Sequence, residues 1–390
     1  MNDPAAPGRP ACPVCKGSGT AFVRLPKQPI YQHPVPADAV VAKPHAIDLE
    51  WSSCSDCAHA WQPNFDESLL REIYKSHYYT PAPDGIGVQF RDEFIATLAS
   101  FRLNEMPRVL LEIGASDGDV LAELKNRTNA SHAYAFEPNE ENARIARRRG
   151  LDVRERFFGR DAAAGSLEPV ELIYARHVIE HVFDFEGFFM GLNAVAAPDA
   201  DVVLETPSLD FHGAHGSIAP FHVEHVHVFA LRSLTRLAAL HGWGHRDSGV
   251  TPSGNLIASF KKGGSSERFP APCLGGLQAK LTQRREDMRR LLAGRRLIFW
   301  GAGSAGIALA TAIGREPDIW TDGNPNKIGK KFVGSTRQIV SPESAIAEAS
   351  SSQFGDPIFV ITSSFQDEIL PRIRQLGWNG AIFDGTGHRL

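Results

Sequence analysis

The stretch Val109-Leu-Leu-Glu-Ile-Gly-Ala-Ser-Asp-Gly-Asp119 decides the fold. Apolar residues between Arg108 and Gly114, interrupted only by Glu112, read as a strand buried on both faces of a parallel sheet. Gly114 and Gly118 allow positive φ and close backbone approach, and Asp119 opens a helical pattern through Val120, Leu121 and Leu124. A strand that runs through such a turn into a helix places a ligand at the turn, outside the carboxyl end of the strand.

What the turn lacks narrows the ligand. Gly114-Ala-Ser116-Asp-Gly118 has neither the three glycines that cradle a pyrophosphate nor the Lys-Ser/Thr of a P-loop, so a phosphate-free nucleoside fits better. Ala133-Tyr-Ala-Phe136 reads as the second strand and ends in Glu137, close to the offset at which an acid takes ribose hydroxyls. Glu112 adds a carboxylate for the ammonium of an amino-acid moiety. With Glu112, Gly114, Ser116, Gly118 and Glu137, the segment resembles motif I of the S-adenosylmethionine-dependent methyltransferases, and Glu137 matches their ribose-binding acid. The resemblance implies S-adenosyl-L-methionine as cofactor.

At 390 residues the chain predicts two or three domains. Hydrophobic residues make up 43% and charged residues 22%, and no apolar run approaches the length of a membrane span. The first residues have neither a basic start nor an apolar core, so a cytoplasmic protein without a membrane partner is expected. A net charge of -4 with interspersed signs gives no nucleic-acid footprint.

Four of the five cysteines come in pairs, Cys12-Pro-Val-Cys15 and Cys54-Ser-Asp-Cys57. Each Cys-x-x-Cys knuckle offers two thiolates, and four together make a closed tetrahedral site suited to structural zinc. The knuckles stand 38 residues apart, longer than usual ribbon spacing. Cys273 reads as a packed or surface thiol. After a short helix from Leu69 to Tyr74, Tyr78 and Tyr79 stand in a loop where their hydroxyls are candidates to close over a substrate, and a helix from about Phe90 to Leu103 follows.

Beyond Glu137 the pattern alternates: a helix over 139–149, a strand around Leu151–Arg154, a fourth strand over Glu171–Ala175 and a fifth at Val202–Glu205. Phe157 and Phe158, after the third strand, are candidates to flank an adenine. The fourth strand delivers Arg176-His-Val-Ile-Glu-His-Val-Phe-Asp184, which resembles the His-Val-Leu-Glu-His-Val segment of many methyltransferases and implies that His177 lines the donor. Seven of the fifteen histidines lie between 177 and 227: His177, His181, His212, His215, His222, His225 and His227. Proton handling explains this enrichment better than a metal, because imidazole titrates near neutrality and methyl transfer from a sulfonium needs no Lewis acid.

Phe221-His-Val-Glu-His-Val-His-Val-Phe229 is similar to the Tyr-x-Glu-His segment of the nucleotide-sugar C-methyltransferases. That family joins a zinc-binding module, a central S-adenosylmethionine domain and a carboxyl-terminal Rossmann-like domain. The resemblance implies C-methylation beside the ketone of a dTDP-linked keto-sugar, with Glu224 and His225 at the site of proton abstraction and His181 in the post-fourth-strand loop. His222 departs from the family's tyrosine. The chemistry needs a base for a weakly acidic carbon and donors for the developing enolate. His225 is read as base or relay, Glu224 as its orienting acid, and His181 or His222 as the enolate donor; the alternative is a strand whose histidines merely cover its polar face.

Toward the carboxyl end, Leu297-Ile-Phe-Trp300 opens into Gly301-Ala-Gly303-Ser-Ala-Gly306 and a helix, with Asp322 21 residues after Gly301. On spacing alone this reads as a dinucleotide site. Asp322-Gly-Asn324-Pro-Asn-Lys-Ile-Gly329 and Ser341-Pro-Glu343 instead resemble the same family's last domain, which implies a sugar-nucleotide role for Gly301, Gly303 and Asn324. The glycine turn has Ser304-Ala305 where that family usually has a lysine.

The expected architecture is therefore α/β: an N-terminal zinc-binding module over 1–72, a central Rossmann-like methyltransferase domain over 73–265, and a second Rossmann-like domain that binds substrate over 266–390. The expected partner is a small nucleotide-linked sugar. Competing readings are O-methylation of a sugar or glycan precursor, a nicotinamide-dependent oxidoreductase and a non-catalytic sugar-nucleotide binding protein.

Overall fold

The computed structural model describes residues 10–39, 46–76, 86–103, 107–163, 167–264, 269–272, 274–351, 356–363 and 366–390. Tyr78, Tyr79 and Cys273 lie outside these. In chain order, β1 (Gly19–Pro29), β2 (Ala46–Cys54) and β3 (Ala60–Trp61) precede α1 (Glu67–Ser76) and α2 (Ile86–Ser100). An alternating series follows: β4 (Val109–Ile113), α3 (Asp119–Thr128), β5 (His132–Phe136), α4 (Glu140–Arg148), β6 (Asp152–Arg154) and β7 (Val170–Arg176). A 3-10 turn (Ile179–His181) leads to α5 (Phe185–Val195), β8 (Ala196–Pro207), α6 (Leu209–His215), β9 (His227–Val228), α7 (Leu231–Leu240), β10 (Trp243–Val250) and β11 (Asn255–Lys262). The last stretch holds α8 (Leu277–Leu292), β12 (Arg296–Trp300), α9 (Ser304–Ile313), β13 (Ile319–Thr321), β14 (Ile339–Val340), α10 (Pro342–Ala349), β15 (Pro357–Ile361), α11 (Gln366–Gln375) and β16 (Ile382–Asp384).

Two compact units result. One comprises the described parts of Met1–Val23, Glu50–Glu67 and Val88–Gly275, the other those of Arg24–Leu49, Ser68–Gly87 and Gly276–Leu390. The first is built on a seven-stranded sheet of order β10-β11-β8-β7-β4-β5-β6. Its members from β8 to β6 run parallel, and β11 and β10 close the other edge antiparallel. Every residue of β4 is buried. Val109, Leu111 and Ile113 enter one apolar cluster with Phe188 and Leu192 of α5, while Leu110 enters another with Phe94 and Leu98 of α2. This two-faced burial is why the strand is a nearly continuous apolar run.

Local sequence sets the helix starts. Asn139 accepts a hydrogen bond from Asn142 N at 3.0 Å and caps α4, whose first turn is acidic and last turn basic, as the helix dipole favours. Asp184 caps α5 through Gly187 N at 2.8 Å. A smaller sheet of order β1-β2-β3-β9 joins the cysteine knuckles to the histidine-rich segment: Ala60 pairs with Val228 and Trp61 with His227. Only His227 and Val228 of the Phe221–Phe229 segment are strand, so the alternation of Val223, Val226 and Val228 marks burial of a turn rather than one face of a strand.

The second unit carries a five-stranded parallel sheet of order β14-β13-β12-β15-β16, again a mixed α/β layer arrangement. Ser341-Pro-Glu343 finds a local explanation there. Ser341 caps α10 and Pro342 occupies its first turn, where a missing N–H costs nothing. Among the described residues no helix is long and apolar enough to cross a membrane.

Candidate active site

At the carboxyl end of β4 the turn is shaped by two glycines. Gly114 has φ +74°, and a Cβ there would meet Val178 Cγ2 at 2.6 Å; Gly118 has φ +75°, and a Cβ there would meet Leu151 Cδ1 at 2.4 Å. Between them Ser116 adopts φ +50° and donates its backbone N–H to Glu137 Oε2 at 2.8 Å. Glu137 Oε1 accepts from Asn139 N, also at 2.8 Å. Burial pushes the Glu137 carboxyl up, against the pull of these two amides. A carboxylate accepting one amide on each oxygen retains lone pairs for a ribose diol. Ser116 Oγ is buried without a hydrogen-bond partner in this turn. The orphaned hydroxyl and the acid fit a nucleoside.

Beneath the turn lies a buried polar chain. Glu112 accepts a hydrogen bond from Tyr174 Oη at 3.1 Å, and burial raises its carboxyl to about 8 despite the charge of Arg176. The described partner of Glu112 is thus a neighbouring strand, not the turn. Arg176 donates to Glu205 Oε2 at 2.6 Å and lies over the Phe94 ring at 4.6 Å. Asn255 donates to the other oxygen of Glu205 at 3.1 Å. His177, at φ +51°, holds Nδ1 3.2 Å from Glu180 Oε1. Desolvation opposes its charge, yet the hydrogen bond to Glu180 and the charges of Glu205 and Glu180 raise its pKa. Phe158 packs edge-on against Phe136 and Phe188, and Phe157 is 48% exposed, so the first ring is committed to the core.

From Val178, against Gly114, the 3-10 turn carries Glu180 and His181 toward the histidine-rich loop. His181 Nδ1 lies 2.6 Å from Glu224 O, and His225 Nδ1 lies 3.1 Å from Pro220 O. A carbonyl only accepts, so both rings are protonated at Nδ1 and present Nε2 as an acceptor. His225 stands 5.0 Å from His181 and 3.7 Å from His222 between ring centroids. The structure therefore gathers His181, His222, Glu224 and His225. The His225 ring is oriented by Pro220 O. Burial drives His225 well below the usual imidazole value, with His222, His181 and His177 adding repulsion, and burial lowers His181 as well. Burial lifts Glu224 to about 7, the range in which a carboxylate serves as general base at neutral pH. Glu180 is wholly buried, and its Oε2 has no hydrogen-bond partner among the described residues. Donor atoms of Glu180, His181 and His225 lie within 4.8 Å of one another, a set that would admit a divalent cation.

The remaining histidines lie elsewhere. His215 bonds Phe211 O within α6, and His212 is buried on the same helix. His227 faces away, to His59, at 3.0 Å between Nδ1 and Nε2. Its own Nε2 donates to Val182 O at 3.1 Å, so its Nδ1 accepts from His59 Nε2 and the pair is a neutral brace.

Cys12, Cys15, Cys54 and Cys57 bring their sulfurs within 4.8 Å of one another, with Cys12 to Cys57 at 3.6 Å and Cys15 to Cys54 at 3.5 Å. A tetrahedron of thiolates about 2.3 Å from zinc has edges of roughly 3.8 Å, which this set fits. Gln62, five residues beyond Cys57, donates Nε2 to His225 O at 2.8 Å and His222 O at 3.2 Å. Gln62, His59, Glu180, Glu205 and Asn255 escaped the sequence reading. Only Glu180 and His59 carried a signal, the first inside the motif after β7 and the second two residues past a knuckle.

In the second unit, Gly301 has φ +122°, and a Cβ on Gly306 would meet Gly301 O at 2.4 Å. Asp322 accepts from Ala302 N at 2.8 Å, Asn324 N at 2.9 Å and Lys327 Nζ at 2.9 Å. The acid is thus already matched by a cation, which leaves less capacity for a ribose than Glu137 has. Lys327 Nζ lies 3.9 Å from where a Cβ of Gly303 would stand, so a lysine reaches this glycine turn from the loop after β13. Asn324 Oδ1 accepts from Asn326 N at 2.9 Å and shapes that loop.

Residues 88–244 match the family model described as a methyltransferase domain. Over 367 residues the chain is 25% identical to the C-methyltransferase NovU of Streptomyces niveus, with 84% of each chain covered. Solved structures similar to it include an S-adenosylmethionine-dependent methyltransferase from Aquifex aeolicus, at 16% identity and TM-score 0.37 over 51% of this chain and 100% of that one. The N-methyltransferase NodS of Bradyrhizobium japonicum aligns at 15% identity and TM-score 0.33 over 45% of this chain and 96% of its own.

Proposed function

Taking the chain as the S-adenosylmethionine-dependent methyltransferase that it is, we propose that it methylates carbon next to the ketone of a nucleotide-linked keto-sugar, dTDP-linked by the resemblance. The observation that carries this reading is the 2.6 Å hydrogen bond from His181 Nδ1 to Glu224 O, which sets the Glu224–His225 pair beside the loop packed on Gly114. The 25% identity to a C-methyltransferase over most of the chain supports it.

When bound, S-adenosyl-L-methionine supplies an electrophilic methyl group on sulfonium. Gly114, Ser116, Gly118 and Glu137 hold its nucleoside, and His177 lines the donor. Carbon methylation needs a base, and the pair offers two neutral-pH acceptors: Nε2 of His225, with Nδ1 held by Pro220 O, and the Glu224 carboxylate. His225 takes the proton from the carbon adjacent to the ketone, and Glu224 shares it. His222 donates to the enolate oxygen, or His181 does once its Nε2 has taken up a proton, since its Nδ1–H is held by Glu224 O, in a site where burial strengthens each such bond. The four cysteines hold structural zinc. The Gly301, Gly303 and Asn324 turn, with Lys327, is the candidate for the nucleotide.

The test is solvent deuterium incorporation into a dTDP-keto-sugar with S-adenosylhomocysteine present, so that deprotonation is read without methyl transfer. Exchange at the carbon next to the ketone, abolished in His225→Gln, is expected. Exchange unaffected by that substitution removes His225 as base, and transfer to a sugar lacking a ketone moves the reading to O-methylation.

A further inference from the structure

The segment 221–226 makes almost no regular secondary structure, so its carbonyls must find donors elsewhere. Around the catalytic pair groups from other elements meet them, His222 O taking the His225 N–H at 3.2 Å as well. Glu224 O takes the His181 ring at 2.6 Å. The Gln62 carboxamide nitrogen donates to His225 O at 2.8 Å, to His222 O at 3.2 Å and, most weakly, to Val223 O at 3.5 Å, and Val226 O takes the Gln62 backbone N–H at 2.9 Å. Gln62 is 6% exposed. One residue thus clamps the peptides on both sides of Glu224 and His225.

The clamp is anchored at the cysteine knuckle. From Cys57 onward, successive residues grip the loop's exit: His59 meets the His227 ring at 3.0 Å, Ala60 pairs with Val228, Trp61 pairs with His227, and Gln62 follows. We propose that Gln62 is a positioning residue for the proton-abstracting pair, and that the four-cysteine knuckle serves catalysis by fixing where Gln62 holds the loop. This rests on the reading of Glu224 and His225 as that pair. Gln62 touches no reacting atom; it acts through the backbone of His222, Val223 and His225. Its influence follows from the sensitivity of proton transfer to placement, since an error near 1 Å can cost about 100-fold in rate.

The experiment compares the full zinc-loaded chain with Gln62→Met, which keeps length without a donor, and Gln62→Glu, which keeps shape. Zinc content and S-adenosylhomocysteine affinity should stay within about twofold of the parent, while amide hydrogen exchange over 221–226 rises about tenfold or more and that over 109–136 does not. With a keto-sugar substrate, kcat should fall about 10- to 100-fold with little change in the KM for the methyl donor. In the parent, stripping zinc with a chelator should produce the same rise in exchange over 221–226. That arm stands even if a variant fails to fold. Unchanged exchange over 221–226 in a folded variant or in the stripped parent overturns the clamp, as does a kcat equal to the parent's in Gln62→Met. The exchange arms need no substrate. A parent that turns over no keto-sugar, with loop exchange still responding to Gln62, would count against the substrate reading and leave the clamp in place.

Discussion

His181 Nδ1 and the carbonyl oxygen of Glu224, 43 positions apart, meet at 2.6 Å. The bond joins the loop after β7, which packs on the cofactor turn, to the loop that holds the Glu224–His225 pair. It also fixes the tautomer of His181, leaving Nε2 as the acceptor. A histidine held this way cannot donate to an enolate from Nε2 until it is protonated there. His181 can thus pick up the proton the pair removes.

Gly114→Ala should both destabilise the protein and weaken cofactor binding. The positive φ costs about 1–2 kcal/mol for a residue with a Cβ, and Val178 must also move. Denaturant melts should show that loss, and calorimetric titration a weaker S-adenosylhomocysteine complex. A variant as stable as the parent would contradict both the positive φ at Gly114 and the contact with Val178.

Glu137→Ala removes the acceptor of the Ser116 and Asn139 amides. Leaving these unpaired while deleting the ribose acid should reduce S-adenosylhomocysteine affinity by about 10- to 100-fold. Titration with NAD and NADP in parallel should give no binding that depends on Glu137.

Stability should depend on pH through groups of opposite sign. His227 has its pKa lowered by burial to about 3, so the unfolded chain binds the proton first. Its contribution is present above the ordinary imidazole value and is lost as pH falls from there toward 3, with a slope approaching about 1.4 kcal/mol per pH unit. Glu112 is raised by burial to about 8, so its contribution is full below the ordinary carboxyl value and is lost as pH rises through 8. Glu112→Gln keeps an acceptor for Tyr174 and cannot ionise. Its melting temperature relative to the parent should therefore rise between pH 6 and pH 9; a constant difference would show that Glu112 ionises freely in the fold.

Much of this arrangement is legible in local sequence, because local forces make it. The buried strand β4, its glycine turn, the acid after β5 and the paired cysteines all show in short windows. Where the chain is read from spacing alone, the outcome is less specific: Asp322 has the offset of a ribose acid, yet Lys327 and two amides hold it. Gln62 carries no local signal, since its partners stand 160 and 163 positions away. His225 is likewise oriented by Pro220, which no charge pattern marks. Long-range bonds to backbone carbonyls leave no periodicity in the sequence.

The most direct measurement supplies S-adenosylmethionine with a 13C-labelled methyl group and a dTDP-keto-sugar, and reads the product by carbon NMR. The account predicts a labelled methyl bonded to the carbon next to the ketone, formed by the parent and lost in His225→Gln. A labelled methyl on oxygen, or carbon methylation that persists without His225, would contradict it.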